Sequence, residues 1–150
     1  MRTIVLGIGN DLLGEDAAGV LAARLLRHRL GRHIDIEETA VTGAALMECM
    51  IGYDQAILLD AVLGSGAPPG TILELQPSDL SRVANPSPHY AGIPEMIDLA
   101  DQFGFRFPRS IRIMAVEVTD NLTIGAPISR QVESGIQELA SRVASMLEGT

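Results

Sequence analysis

Apolar residues along the chain form short runs that alternate with longer segments of helical periodicity. In the last segment, apolar residues from Ile128 to Leu147 recur every three or four positions, which is typical of a helix with one buried face. Runs of strand length predict strands at residues 3–6, 34–39, 56–62, 71–75 and 111–118. Further helices are predicted at residues 17–30, 43–51 and 94–103, ending at Gly31, Gly52 and Gly104.

This alternation predicts the fold class. Interleaved strands and helices are typical of an α/β protein, so we expect a three-layer sandwich with a five-stranded, mostly parallel twisted sheet and helices on both faces. The 150 residues suit one domain, and residues 1–150 are assigned to it. Functional groups of such sheets collect beyond the carboxyl ends of the strands, so we expect a site in the loops after Leu6, Thr39, Leu59 and Val118. A further loop is predicted at residues 77–89.

The composition excludes several classes of function. A net charge of −8 without a basic run argues against nucleic acid as a partner, because duplex binding depends on Lys and Arg at the phosphates. All eleven basic residues are Arg, so a P-loop lysine, a Schiff-base lysine and a Ser-Lys dyad are absent. The single cysteine, Cys49, has apolar neighbours and is interpreted as a small buried residue rather than a nucleophile.

The apolar patterns of the sequence also predict where in the cell the protein is located. The first residues pass directly into a strand-length apolar run, without the leader and longer apolar core of a signal peptide. Asp60 interrupts the longest apolar run, so no stretch reaches the roughly 18 residues of a membrane span. We therefore expect a soluble, cytoplasmic protein without membrane contact, and a monomer, since no apolar stripe is left over from the core.

The first loop is glycine-rich and acidic. Residues 7–12 begin like a dinucleotide-binding fingerprint, but Leu12 stands where a third glycine would allow close packing of the helix. Glu15 and Asp16 follow at the start of the predicted helix, where carboxylates would repel a pyrophosphate. These acids favour a cation instead, unless one of them simply caps the helix.

Two residues elsewhere in the chain, Asp60 and His89, could form a metal site together with the acids of this loop. Asp60 would be desolvated near the end of its apolar strand unless it is paired, bound to a cation or hydrogen-bonded by the next loop. His89 lies in a proline-stiffened loop before a helix, where an ordinary hydrogen-bonding role is the alternative. Together, Asp16, Asp60 and His89 would suit nickel, zinc, iron or manganese, but sequence spacing alone does not show that they converge.

Three separated segments of the chain match a known family in order and spacing. They are Ile4-Val5-Leu6-Gly7-Ile8-Gly9-Asn10 with Leu13-Gly14-Glu15-Asp16, then Leu58-Leu59-Asp60-Ala61-Val62, and finally Ser87-Pro88-His89 leading to Gly92-Ile93-Pro94-Glu95. These segments, with the late strand reaching Val116-Glu117, resemble the nickel-iron hydrogenase maturation endopeptidases over nearly the whole chain.

The resemblance implies an α/β endopeptidase that removes a C-terminal extension from the hydrogenase large-subunit precursor once nickel has been inserted. The nickel belongs to the precursor, and no organic cofactor is expected. Carried onto this sequence, the family's catalytic and metal-recognising positions fall on Asp16, Asp60 and His89. The chain departs from the family in having Glu15 for the first Asp and Ala17 for the following Gly, which leaves the role of Glu15 unassigned. Residues 119–121 also differ from the expected acidic stretch.

Two other classes of function remain open from the sequence. The first is a binding protein, either a chaperone or a degenerate relative, that holds a metal complex without cutting anything; full binding without cleavage would identify it. The second is a nucleotide- or sugar-binding α/β module, which the acidic loop and the missing third glycine oppose.

Overall fold

Strands and helices alternate along the chain as predicted. The computed structural model describes residues 1–76, 90, 92–119 and 123–148. Its strands are β1 (Thr3–Ile8), β2 (Asp35–Thr39), β3 (Gln55–Val62), β4 (Ile72–Leu75) and β5 (Ser110–Glu117). Its helices are α1 (Ala18–Arg29), α2 (Gly43–Glu48), α3 (Ile93–Phe103) and α4 (Arg130–Glu148), and a short 3-10 helix, Gly14–Ala17, precedes α1.

The described strands form one sheet in the order β2-β1-β3-β5-β4. Strand β1 is parallel to β2 and β3, and β3 is parallel to β5, whereas β4 runs antiparallel to β5 at one edge. Because β2, β1, β3 and β5 point the same way, their carboxyl ends meet at one edge of the sheet. The predicted five-stranded, mostly parallel sheet is confirmed.

Helices cover both faces of this sheet. Alternate strand residues such as Val5 and Ile57 pack with α1 and α4, while Leu6 and Leu58 pack with α2 and α3 on the other face. The central strands are therefore apolar on both sides, as a covered parallel sheet requires. This confirms the three-layer arrangement. In the described part of the chain, no helix has the length and apolar character to cross a membrane.

The amino-terminal strand is longer than its sequence pattern suggested. It runs to Ile8, so Gly7 is a paired strand residue rather than part of the loop. A Cβ atom on Gly7 would lie 2.7 Å from both the Ala23 side chain and the Gly19 carbonyl oxygen. Gly7 is thus explained by the close approach of α1 to β1, which a larger residue would prevent.

Helix ends agree with the predictions to within a few residues. Gly104 ends α3 as predicted, with a left-handed φ of 69° and its N–H bonded to the Ala100 carbonyl. Gly31 lies directly after the C-cap of α1, at the predicted C′ position, since the helix ends at Arg29 and extended Leu30 is its cap; its φ is not positive, however. The predicted loop at residues 77–89 lies outside the described residues.

Candidate functional site at the carboxyl edge

The carboxyl edge of the sheet carries both acidic residues of the predicted site. Asp60 lies near the end of β3, in register with Ala115 of β5, and Asp16 lies in the 3-10 helix that follows β1. A Cβ atom on Gly19 would overlap the Leu59 carbonyl oxygen, so the first turn of α1 packs directly on β3 beside Asp60. The fold thus places Asp16 and Asp60 after neighbouring parallel strands at the same edge.

Asp16 holds the loop that leaves β1. One of its carboxylate oxygens, Oδ2, accepts a hydrogen bond from the Asn10 backbone N–H at 2.8 Å, and the side chain is half-buried. The residues at the N-cap positions of the 3-10 helix and of α1 are Leu13 and Ala17, and neither helix start has a side-chain capping bond. Neither Glu15 nor Asp16 therefore occupies the N-cap position of either helix.

Asp60 is almost fully buried, with 1% of its surface exposed. Its Oδ1 accepts a hydrogen bond from the Ala61 N–H at 2.8 Å, and its Oδ2 accepts one from the Tyr90 hydroxyl at 2.5 Å. One donor of Asp60, the Ala61 N–H, thus lies within the strand itself. These bonds offset part of the cost of removing a carboxylate from water.

Tyr90 is a site residue that sequence reasoning missed. It is buried among apolar residues of the α2/α3 face. Burial first, and then the charge and hydrogen bond of Asp60, raise the pKa of the Tyr90 hydroxyl well above 10, so it stays protonated and acts as a donor. The only hint in the sequence was an aromatic residue directly after His89.

Glu15, whose role the sequence left unassigned, connects the loop after β1 to the segment between β5 and α4 by hydrogen bonds. It is 1% exposed, and its Oε1 accepts hydrogen bonds from the Thr119 N–H at 2.7 Å and the Thr119 hydroxyl at 2.5 Å. Its Oε2 accepts one from the Ser129 N–H at 2.8 Å. Burial by itself raises the pKa of Glu15, but these hydrogen bonds outweigh it and lower the pKa from 4.5 to about 2.

Glu117 has a comparable structural role at the end of β5. It is 4% exposed, and it accepts hydrogen bonds from the Gly64 N–H at 3.0 Å and the Ser65 hydroxyl at 2.7 Å. The interpretation of Glu117 as an ordinary strand-end carboxylate fits these contacts. Its bonds fix the start of the loop that follows β3.

His89 lies outside the described residues, so the predicted trio stays a prediction. Among the residues that are described, no group of three or more His, Cys, Asp or Glu side chains is arranged to hold a metal ion. Of the three predicted residues, the structure places Asp16 and Asp60 at the carboxyl edge of the sheet.

Cys49 is not suited to act as a nucleophile. Its thiol is partly buried and donates a hydrogen bond to the Ala45 carbonyl at 3.4 Å. Burial, together with the negative charge of Glu48, raises the pKa of the thiol, so little thiolate is present at neutral pH. This agrees with the interpretation that Cys49 is not a nucleophile, although the residue is partly rather than fully buried.

Comparison with known proteins identifies the family. The family model described as hydrogenase maturation protease matches residues 23–146. The chain belongs to the hydrogenase maturation protease family. The resemblance noted in the sequence is thereby confirmed, and with it the assignment to the hydrolases, as a protease of hydrogenase maturation.

Individual members of the hydrogenase maturation protease family are similar over almost their full length. The chain is 28% identical to the hydrogenase 2 maturation protease of Escherichia coli K12, over 98% of this chain and 91% of that one. The solved structure of the hydrogenase maturating endopeptidase HybD from E. coli superposes with a TM-score of 0.81 at 26% identity, covering 99% of this chain and 93% of that one. HybD from Thermococcus kodakarensis shares the fold, with a TM-score of 0.73 at 19% identity and coverage of 97% and 99%.

Proposed function

We propose that this protein is an endopeptidase that removes the C-terminal extension of a nickel-iron hydrogenase large-subunit precursor after nickel insertion. Membership of the hydrogenase maturation protease family supports the reaction class. The observation that carries the proposal is the pair of carboxylates, Asp16 and buried Asp60, at the carboxyl edge of the sheet, where α/β proteins bind their ligands.

In the proposed reaction the metal is part of the substrate. Asp16, Asp60 and His89 contact the nickel that the precursor holds, and oxygen and imidazole donors suit that ion. Cleavage then requires a loaded precursor, which makes the reaction a checkpoint on nickel insertion. The protein needs no organic cofactor of its own.

Two routes are available for attack on the scissile bond. In one, the nickel polarises the scissile carbonyl or supplies a bound hydroxide. In the other, Asp16 acts as a general base on the attacking water. Both routes use the same residues, and both end in hydrolysis of a single peptide bond of the precursor.

We place the reaction in the cytoplasm and assign a monomer that binds its precursor transiently. One cysteine cannot form an internal disulfide, which fits a reducing compartment. The loops at the carboxyl edge offer no basic run for nucleic acid.

Mass spectrometry of the precursor tests the proposal. Purified large-subunit precursor, loaded with nickel or free of it, is incubated with the wild-type protein and with Asp60→Asn, Asp16→Asn and His89→Ala. Loss of a C-terminal peptide is expected only with nickel, and with none of these three variants. Asp98→Asn, an exposed carboxylate of α3, is the matched control and should cleave normally.

Unimpaired cleavage by the Asp60 or His89 variant would refute the assignment of the site. Retention of the loaded precursor on immobilised wild-type protein without any cleavage would refute the endopeptidase. It would support the binding-only alternative instead.

A further inference from the structure

Large apolar side chains are exposed on the loops that follow four neighbouring strands. They are Val41 after β2, Leu12 after β1, Leu63 after β3 and Ile124 after β5, with exposed fractions of 40%, 66%, 49% and 78%. The sheet order is β2-β1-β3-β5, so these loops succeed one another along the edge that carries Asp16 and Asp60. We refer to the four residues as the apolar rim.

Hydrogen bonds hold the loops of the apolar rim in place. The Gly125 N–H bonds to the Leu12 carbonyl at 2.9 Å, which joins the loop after β1 to the loop that carries Ile124. The Glu117 carboxylate accepts the Gly64 N–H beside Leu63, and the Val41 N–H bonds to the Thr39 hydroxyl. A surface that is ordered before binding loses less conformational entropy when a partner arrives.

The charge of this surface restricts its occupant. Residues 9–14, 40–42, 63–71 and 123–129 contain one acidic residue, Asp11, and no basic residue. Asp11 is ion-paired with Arg24 at 3.2 Å and Asp60 is buried, so the surface formed by these loops is apolar and carries little net charge. It disfavours an acidic peptide and an anionic lipid surface, because these loops hold no basic side chain that could pair with a negative charge brought into the contact.

We propose that the apolar rim binds the precursor polypeptide beside its scissile bond, as an extended apolar segment without acidic residues. This inference rests on the proposed function. Neighbouring strands are about 4.8 Å apart, so four of them span about 15 Å, which is the length of roughly five extended residues. A segment lying across the strand ends passes over β1 and β3, the two middle strands, which lead to Asp16 and Asp60.

Cleavage kinetics test the apolar rim. The variants are Leu12→Ser, Ile124→Ser and the double variant, with Phe103→Ser as the matched control. Phe103 is also exposed, at 74%, but it ends α3 at the opposite edge of the sheet. Each rim variant should raise the KM for the nickel-loaded precursor roughly tenfold through lost apolar contact. The effect should fall on KM rather than kcat, and Phe103→Ser should leave both unchanged.

A binding measurement separates this inference from the proposed function. Isothermal titration uses a synthetic peptide that spans the precursor's cleavage site and its C-terminal extension. The Kd should rise in parallel with the KM in the rim variants. Peptide binding that depends on the rim, without cleavage by the wild type, would support the rim and refute the endopeptidase.

Two outcomes would overturn the apolar rim. The first is that the wild type cleaves the precursor and the double variant has the same KM and Kd as the wild type. This result would refute the apolar rim but not the proposed endopeptidase activity. The second is that, in sedimentation velocity, the wild type is a dimer whereas the double variant is a monomer. In that case a second copy of the chain occupies the surface.

Discussion

Replacing Glu15 with glutamine tests the structural account of the carboxyl edge most directly. The substitution keeps the size and shape of the side chain but removes its charge. One end of the amide then presents an N–H₂ group to Ser129 or Thr119, whose own N–H groups point at that position. At least one hydrogen bond is lost, and two donors face each other in a buried place.

The expected loss of stability follows from the lowered pKa. A change from 4.5 to about 2 in the pKa of Glu15 corresponds to about 3 kcal/mol of extra stability for the folded state at neutral pH. The surrounding loops lie near water, and screening reduces this contribution to about 2 kcal/mol. For a chain of this size the Tm of Glu15→Gln should therefore fall by about 6 °C.

The pH dependence has a definite sign. Because the folded-state pKa is the lower one, the stabilisation is complete above pH 4.5 and is lost as the pH falls from there toward 2. The difference in unfolding free energy between the wild type and Glu15→Gln should shrink by about 1 kcal/mol between pH 7 and pH 3.5.

Urea unfolding followed by far-ultraviolet circular dichroism is the appropriate assay, since the chain has no tryptophan. The wild type, Glu15→Gln and the control Glu48→Gln, at an exposed glutamate, are compared at pH 7, 5 and 3.5. The control should stay within about 0.5 kcal/mol of the wild type. A Glu15→Gln variant as stable as the wild type at pH 7, or a difference that does not change with pH, would refute the argument.

Other variants probe the packing and the hydrogen bonds around the site. Gly19→Ala should cost about 3 kcal/mol in urea unfolding because its Cβ would overlap the backbone of β3, whereas Gly31→Ala, which meets only a flexible side chain, should be close to neutral. Tyr90→Phe removes the hydroxyl donor of buried Asp60 and should cost about 2 kcal/mol at pH 7; equal stability would mean that the bond contributes nothing. The Cys49 thiol should react with a disulfide reagent at pH 8 at least about tenfold more slowly than free cysteine, and at the free rate in urea.

Periodicity was sufficient to predict most of the fold. Apolar runs of strand length and the stripe from Ile128 to Leu147 are local signals, because burial of one face or both faces sets the spacing of apolar residues. The sheet and the described helices appear where this spacing placed them. The end of β1 was missed because Gly7 was interpreted as a loop glycine, and only the approach of α1 reveals why a glycine stands within the strand.

For the candidate site, the sequence predicted which residues carry the chemistry, and the tertiary structure decided how Asp16 and Asp60 are held. Asp16 and Asp60 stood out because acids are unexpected beside apolar strands. Ser129 lies 114 residues from Glu15 along the chain, and Tyr90 lies 30 residues from Asp60. No local sequence pattern encodes a hydrogen bond across such separations. Asp16 and Asp60 lie at one edge because β1 and β3, the strands before and around them, are parallel neighbours. That pairing is a long-range contact, which only the folded chain makes.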